Sequence, residues 1–412
     1  MIRGAWGAGH AAAGGWGAAR RAAPGHGIIL PMPMRDYLVE GGRLVLPRTV
    51  LEGGSLVVRG GRIKAVLQPR ERAPSGLRRV DARGAYVTPG LVEAHIHGCC
   101  GIGFDELGPD PRAGAAALRD ARAFLRSRGV TCFVPTIVCR PDSLAALAAA
   151  LEEAAFPEEE VPGIYLEGPF VNPARLGGIP PETVLEPDLA ILDRILELGR
   201  GRIRLMTVAP ELPGAAELLE ALAAAGIMPC LGHSDCSIEG LEPPPGRCSI
   251  THLFNAMSPF SHKKPGLAML PFLDRRPFVE LNADGVHVCA EALRVCAQAL
   301  DPERLILISD AALAAGLPYG EYEHLGERLV SGPRGVRYAA SDVLVGSNSL
   351  APEVLRSWLR VTGSSPANAL RMLTLTPSQA LGLDGRRGAL ASGLAADLVI
   401  WEGEFESPRE LP

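Results

Sequence analysis

Between residues 86 and 310 the chain alternates short, nearly pure apolar runs with longer stretches rich in Ala, Leu, Arg and Glu. The runs end at His95, Val138, Glu167, Val208, His233, His252, Asn282 and Asp310. Runs this short and this apolar on consecutive positions predict strands buried on both faces, the pattern of a parallel sheet. The stretches 112–128, 142–155, 187–200, 214–225 and 289–300 carry the spacing of amphipathic helices. The connection before His252 contains Pro243-Pro244-Pro245 and is too short for a full helix. Eight strands joined by right-handed crossovers close a barrel. The predicted fold class is therefore α/β, a (β/α)8 TIM-type barrel over about 89–384, slightly longer than the usual ~250 residues.

The flanks have another texture. From Tyr37 to about Val87, strands such as Ser55-Leu56-Val57-Val58-Arg59 alternate apolar and polar positions between glycine turns. Gly388-Ala389-Leu390 and Ala396-Asp397-Leu398-Val399-Ile400-Trp401 repeat that pattern at the other end. One small β-sandwich built from both termini, 34–88 with 385–412, accounts for both. Residues 1–33, mostly Ala and Gly, show neither period; a start codon read too early, with Met32 or Met34 as the natural start, explains them better than a targeting segment.

Composition narrows the function. The chain is 47% hydrophobic with a net charge of -5, so no basic field recruits nucleic acid or an anionic membrane. No apolar stretch reaches the ~18 residues of a membrane span. The nine cysteines are odd in number, lack the spacing of a secreted framework and often sit inside apolar runs. Free thiols in a reducing cytoplasm are the expectation.

The chemistry concentrates where the runs end. His95 and His97 close the first, Glu167 the third, His233 and His252 the fifth and sixth, and Asp310 the eighth. A barrel places its reacting groups at the C-terminal ends of its strands. Imidazoles and carboxylates there are the ligands of a hydrolytic divalent metal. His-x-His alone is a weak signal, because alternate strand residues face opposite sides. The expected site holds one or two ions, zinc first, with iron, manganese or cobalt as alternatives. His95 and His97 would serve one ion, His233 and His252 the other, and Glu167 would bridge them. Asp310 is expected to act as general base toward water and then as acid toward a leaving amine. His262 and His324 read as surface-loop residues.

His95-Ile96-His97, Leu166-Glu167-Gly168-Pro169-Phe170, Gly232-His233-Ser234-Asp235, Thr251-His252-Leu253-Phe254-Asn255-Ala256-Met257 and Ser309-Asp310-Ala311 resemble the amidohydrolase superfamily. More narrowly they resemble the N-acetylglucosamine-6-phosphate deacetylase family, in order, over about 36–403. The resemblance implies a metal-dependent barrel flanked by a β-sandwich that removes acetate from a phosphorylated N-acetyl amino sugar. It implies substrate contacts at Gly178, Ile179, Asn255, Ala256, Asp284, His287, Leu344, Val345 and Gly346. It also implies a homodimer in which Lys263 and His287 help hold the phosphate across the subunit boundary.

Two positions depart from the family pattern. Its phosphate-binding Arg is Lys263 here, followed by Lys264, in a chain whose other lysine is Lys64. A lysine binds phosphate as a point charge rather than as a fork. The family His near the acetyl group is Ile179, in Leu176-Gly177-Gly178-Ile179. Two other readings compete. A cyclic-amide hydrolase would carry a bridging lysine on the fourth run, and Ile203-Arg204-Leu205-Met206-Thr207-Val208 has none. A catalytically silent barrel acting as a binding module would have lost ligands, and none is lost.

Overall fold

The structure, a computed structural model, describes residues 36–241 and 244–409. Residues 1–33 lie outside the described residues. Eight parallel strands form one sheet in sequence order: Leu91–Ile96, Val130–Val138, Ile164–Glu167, Ile203–Val208, Met228–Leu231, Ser249–Ile250, Phe278–Asn282 and Leu305–Ile308. They are numbered here as barrel strands 1 to 8. Closure between strands 8 and 1 uses little regular ladder. Ile96 forms a parallel bridge with Ala311, the Asp310 amide donates to the His95 carbonyl at 3.1 Å, and the His97 amide donates to Ala311 at 2.9 Å. The barrel is thus sealed at its C-terminal rim by the backbone of the candidate site.

Helices Pro111–Ser127, Pro141–Ala154, Leu189–Gly199, Ala215–Ala224 and Ala290–Ala299 fill the predicted connections. In the first, Asp110 caps the N-terminus by accepting from the Arg112 amide. Its buried stripe, Leu118, Ala121 and Leu125, packs into the main core, and Arg128 follows the last turn. Asp188 caps Leu189–Gly199 in the same way, through the Ala190 amide. Between strands 5 and 6 no helix forms among the described residues, and strands 6 and 7 are joined through the short helices Leu267–Met269 and Leu270–Leu273.

The flanking strands form one seven-stranded sheet from both ends of the chain: Tyr37–Val45, Val50–Arg59, Arg62–Leu67, Arg78–Asp81, Tyr86–Pro89, Leu398–Glu402 and Ser407–Pro408. Tyr37–Val45 is its spine. It pairs antiparallel with Val50–Arg59 on one side, and parallel with Arg78–Asp81 and then Tyr86–Pro89 on the other. A separate apolar cluster, including Tyr37, Leu44, Leu56, Ile63 and Ile400, forms its interior. Buried Arg387 ties this unit to the barrel by donating to Asp397 and to the Thr131 hydroxyl, both at 2.6 Å.

Two features go beyond the sequence reading. After strand 8 a four-stranded antiparallel sheet, Gly320–His324, Glu327–Gly332, Gly335–Tyr338 and Leu344–Gly346, stands over the barrel mouth. Its strands are short and half-exposed, so they lack a buried strand's apolar run. The helices Ala351–Thr362, Pro366–Arg371 and Leu375–Ala380 follow, the first burying Val354, Leu355 and Trp358. No described helix is long and apolar enough to cross a membrane.

Candidate active site

All six strand-end residues converge. His233, His252 and Asp310 each lie two residues past their strands, with φ of 46°, 26° and 50°. That left-handed conformation is costly for a residue with a side chain and clusters at functional sites. It ends each strand and turns the side chain into the barrel mouth. Gly346 explains how one of these turns is held: a Cβ there would stand 2.7 Å from the Asp310 carbonyl, which also accepts from the Ser347 amide at 2.7 Å.

Two sets of three ligand atoms emerge, each within 4.8 Å, and Glu167 belongs to both: His95, His97, Glu167 and Glu167, His233, His252. The donor geometry fits a cation. His233 Nδ1 donates to the Arg175 carbonyl at 2.9 Å, so the neutral ring presents a lone pair at Nε2. That lone pair faces Glu167 Oε1 at 2.7 Å and His252 Nε2 at 3.0 Å. His252 Nε2 in turn lies 2.8 Å from the same carboxylate oxygen. Acceptors this close repel unless a proton or a metal ion lies between them. His95 repeats the arrangement: its Nδ1 donates to Glu280 at 2.9 Å, and its Nε2 looks toward His97 Nε2 at 3.3 Å.

Titration without an ion reflects the same crowding. Burial disfavours a charged His97, but the hydrogen bond and charge of Glu167 outweigh it and raise its pKa to about 9. His252 is likewise raised to about 9 against burial by Glu167. Burial raises the Glu167 carboxyl, yet His233, His252 and His97 together hold it well below the usual carboxylate range.

Asp310 stands opposite, its Oδ1 3.7 Å from His95 Nε2 and 3.5 Å from His97 Nε2. His287 Nε2 lies 3.5 Å from Asp310 Oδ2, and Asp284 fixes the ring through Nδ1 at 2.8 Å. His287 therefore lines its own chain's pocket, where the resemblance had assigned it to a contact across the subunit boundary. Asp284 is buried and acts through His287.

The pocket over these groups has a volume of about 260 Å³. Gly178, Ile179, Asn255, Ala256, Leu344 and Val345 line it. Gly346 does not; it is a buried packing position against Asp310. Lys263 is exposed and outside the pocket lining, as is His262. His324 departs from its expected surface role. It lines the pocket, with Nδ1 2.8 Å from Glu106.

Three buried carboxylates escaped the sequence reading. Glu280 holds His95 and also accepts from the His252 amide at 3.3 Å. Glu93 accepts from the Ser309 amide at 3.0 Å, and burial raises its pKa to about 8. Asp105 lines the pocket, raised to about 6 by burial. The signal for the first two was visible: a lone carboxylate inside an apolar run, in Val92-Glu93-Ala94 and Val279-Glu280-Leu281. Beneath the ligands, the hydroxyls of Tyr165, Thr207 and Thr251 satisfy one another at 3.1–3.2 Å.

Known proteins resemble this chain in sequence and fold. The amidohydrolase family model matches residues 86–233 and 326–410. The N-acetylglucosamine-6-phosphate deacetylase of Homo sapiens is 36% identical over 376 residues, covering 85% of this chain and 89% of that protein. The N-acetylgalactosamine-6-phosphate deacetylase of Escherichia coli O157:H7 is 32% identical over 372 residues, covering 88% and 94%. Among solved structures, a mutant N-acetyl-D-glucosamine-6-phosphate deacetylase of Mycobacterium smegmatis in complex with N-acetyl-D-glucosamine-6-phosphate superposes with a TM-score of 0.79 at 30% identity, covering 90% of this chain and 96% of that one. The Pasteurella multocida N-acetylglucosamine-6-phosphate deacetylase, at 23% identity and a TM-score of 0.81 over 90% and 97%, shares the fold. From the family match and the identity sustained across most of its length, the chain belongs to the N-acetylglucosamine-6-phosphate deacetylase family of the amidohydrolases.

Proposed function

We propose that the chain hydrolyses the acetamide of N-acetyl-D-glucosamine 6-phosphate, or of a close N-acetyl amino-sugar phosphate, giving acetate and the amino-sugar phosphate. The observation that carries this is the pair of three-ligand sets sharing Glu167, with Asp310 facing them at 3.5 Å from His97. A divalent ion held there by His95, His97, Glu167, His233 and His252 supplies polarisation of the amide carbonyl and a more acidic water. Zinc is the ion proposed, since imidazole and carboxylate suit it.

The chain's own groups perform the rest. Asp310 takes the proton of the attacking water and passes it to the leaving nitrogen. Asp284 orients His287, which faces the oxygen of Asp310 that the His95–His97 side does not use. Asn255, Ala256 and the segment Gly177–Ile179 shape the cavity around the sugar. Because Lys263 is exposed outside its own pocket, the phosphate contact is proposed to come from a second copy in a homodimer. The free thiols fit a cytoplasmic setting.

Acetate release tests the reading, measured with N-acetylglucosamine 6-phosphate, its galactosamine epimer and both unphosphorylated sugars. The expected order puts the phosphorylated sugars first. Absence of turnover on all four with metal supplied overturns it.

A further inference from the structure

One wall of the pocket is built by the loop following barrel strand 1 and by the four-stranded sheet, through Asp105, His324, Leu325, Leu329 and Tyr338. Ile179 joins it and offers no hydrogen bond. The Tyr338 hydroxyl is already committed, donating to the Gly178 carbonyl at 3.1 Å. His324 is fixed in place. Glu106 accepts from its Nδ1 at 2.8 Å and from the Leu325 amide at 2.5 Å. The ring packs against Gly103, where a Cβ would come within 3.1 Å of it. Its Nε2 is open to solvent and has no hydrogen-bond partner among the described residues. The side chain is 13% exposed, and it lines the pocket.

A ring that donates its Nδ1 proton to a carboxylate has a settled tautomer, so the neutral imidazole presents a lone pair at Nε2. Glu106 on the ring and Asp105 on the same wall place two carboxyl groups at this end of the pocket. Like charge there disfavours a phosphate and leaves a hydroxyl as the group that suits the nitrogen. In an N-acetyl amino-sugar 6-phosphate, C2 carries the acetamide and C6 the phosphate, so the hydroxyls at C1, C3 and C4 remain. We propose that His324 is a specificity-determining residue whose Nε2 accepts a hydrogen bond from one ring hydroxyl of the substrate. This rests on the deacylase reading above. The contact lies on the sugar, away from the amide that reacts, so it selects among sugars and leaves the chemistry of hydrolysis as described.

The test compares kcat/KM for N-acetylglucosamine 6-phosphate and its 1-, 3- and 4-deoxy analogues, with one divalent metal throughout. The native enzyme is expected to lose about three- to tenfold on the analogue that lacks the contacted hydroxyl, the scale of one neutral hydrogen bond. His324→Phe keeps an aromatic ring and removes the acceptor. It should bring the penalty at that position to about one and leave the penalties at the other two unchanged. His324→Gln, which restores a polar group near Nε2, should recover part of it. A residue that only shaped the wall would lower all four sugars together and leave their ratios as they were. The native series stands without either variant: equal kcat/KM on all four sugars overturns the proposal. A set of deoxy penalties that survives unchanged in both variants does the same. No acetate from any of the four, with metal supplied, overturns the deacylase reading on which it rests.

Discussion

Glu280 Oε2 accepts from His95 Nδ1 at 2.9 Å, with both side chains essentially excluded from solvent. The contact settles the tautomer of His95 and aims its Nε2 at the ligand cluster. The same carboxylate oxygen accepts from the His252 amide, so one residue of barrel strand 7 orients ligands from strands 1 and 6. Replacing it with an amide keeps the shape and weakens the hold. Glu280→Gln is expected to lower metal affinity by about 10–100-fold, the usual cost of losing such an orienting partner. Competition with a chelating dye measures it, and unchanged affinity would assign orientation elsewhere.

The purified protein is expected to retain one to two equivalents of a divalent transition metal. His233→Ala and His252→Ala should each abolish both retention and turnover, since both rings converge on Glu167 Oε1. Elemental analysis checks the first and acetate release the second. Full activity of metal-free enzyme in chelator contradicts the site.

Asp310→Asn should keep the metal and lower turnover by about 10²-fold or more, the scale of a lost general acid–base group. His97 and His287 lie 3.5 Å from opposite oxygens of this carboxyl. Near-normal turnover in the variant moves proton transfer to another group.

Lys263→Ala should raise KM for the phosphorylated sugar by about 10–100-fold, corresponding to ~1.5–3 kcal/mol for a charge-assisted contact, and spare the unphosphorylated sugar. Because Lys263 is exposed outside its own pocket, the effect should vanish when dilution leaves a monomer. Equal weakening of both sugars removes the phosphate role.

Glu93 gives a pH signature. Burial raises its folded pKa to about 8, above the usual carboxyl value, so folding retains a proton that the unfolded chain releases. The cost is absent below the unfolded pKa near 4.5, grows as pH rises, and is complete above about 8. Glu93→Gln removes that cost, so its melting temperature relative to the wild type should climb between pH 5 and 8, with a stability difference of roughly 3–5 kcal/mol at the upper end. A gap that stays flat over this range means Glu93 does not titrate there.

Much of this was legible in the residues. Eight apolar runs gave the barrel strands, because a strand covered on both faces must be apolar at every position, and that leaves a mark in sequence. Strand 4 matched to the residue, Ile203–Val208. Polar residues at the ends of such runs stood out against them, so His95, His97, Glu167, His233, His252 and Asp310 were readable as a set, and the structure brings them together. Strands 5, 6 and 8 nevertheless stop at Leu231, Ile250 and Ile308, short of their ligands. Strand propensity says nothing of the left-handed turns at His233, His252 and Asp310, which only packing from neighbouring strands can hold.

Tertiary structure decided the rest. His324 has the sequence surroundings of an exposed hairpin, and only the folding of 320–346 over the mouth lodges it against Gly103 and Glu106. Asp105 reads as a loop acid until that sheet buries it. His287 reads from sequence as a ligand contact or a strand-end packing residue, and only the folded chain sets its ring against Asp284 and in the pocket lining. Local pattern determines which segments become strands and helices, because burial on a fixed period is a property of neighbouring positions. Which loop covers which cavity depends on contacts more than a hundred residues apart, such as Glu106 with His324, and no local period encodes them.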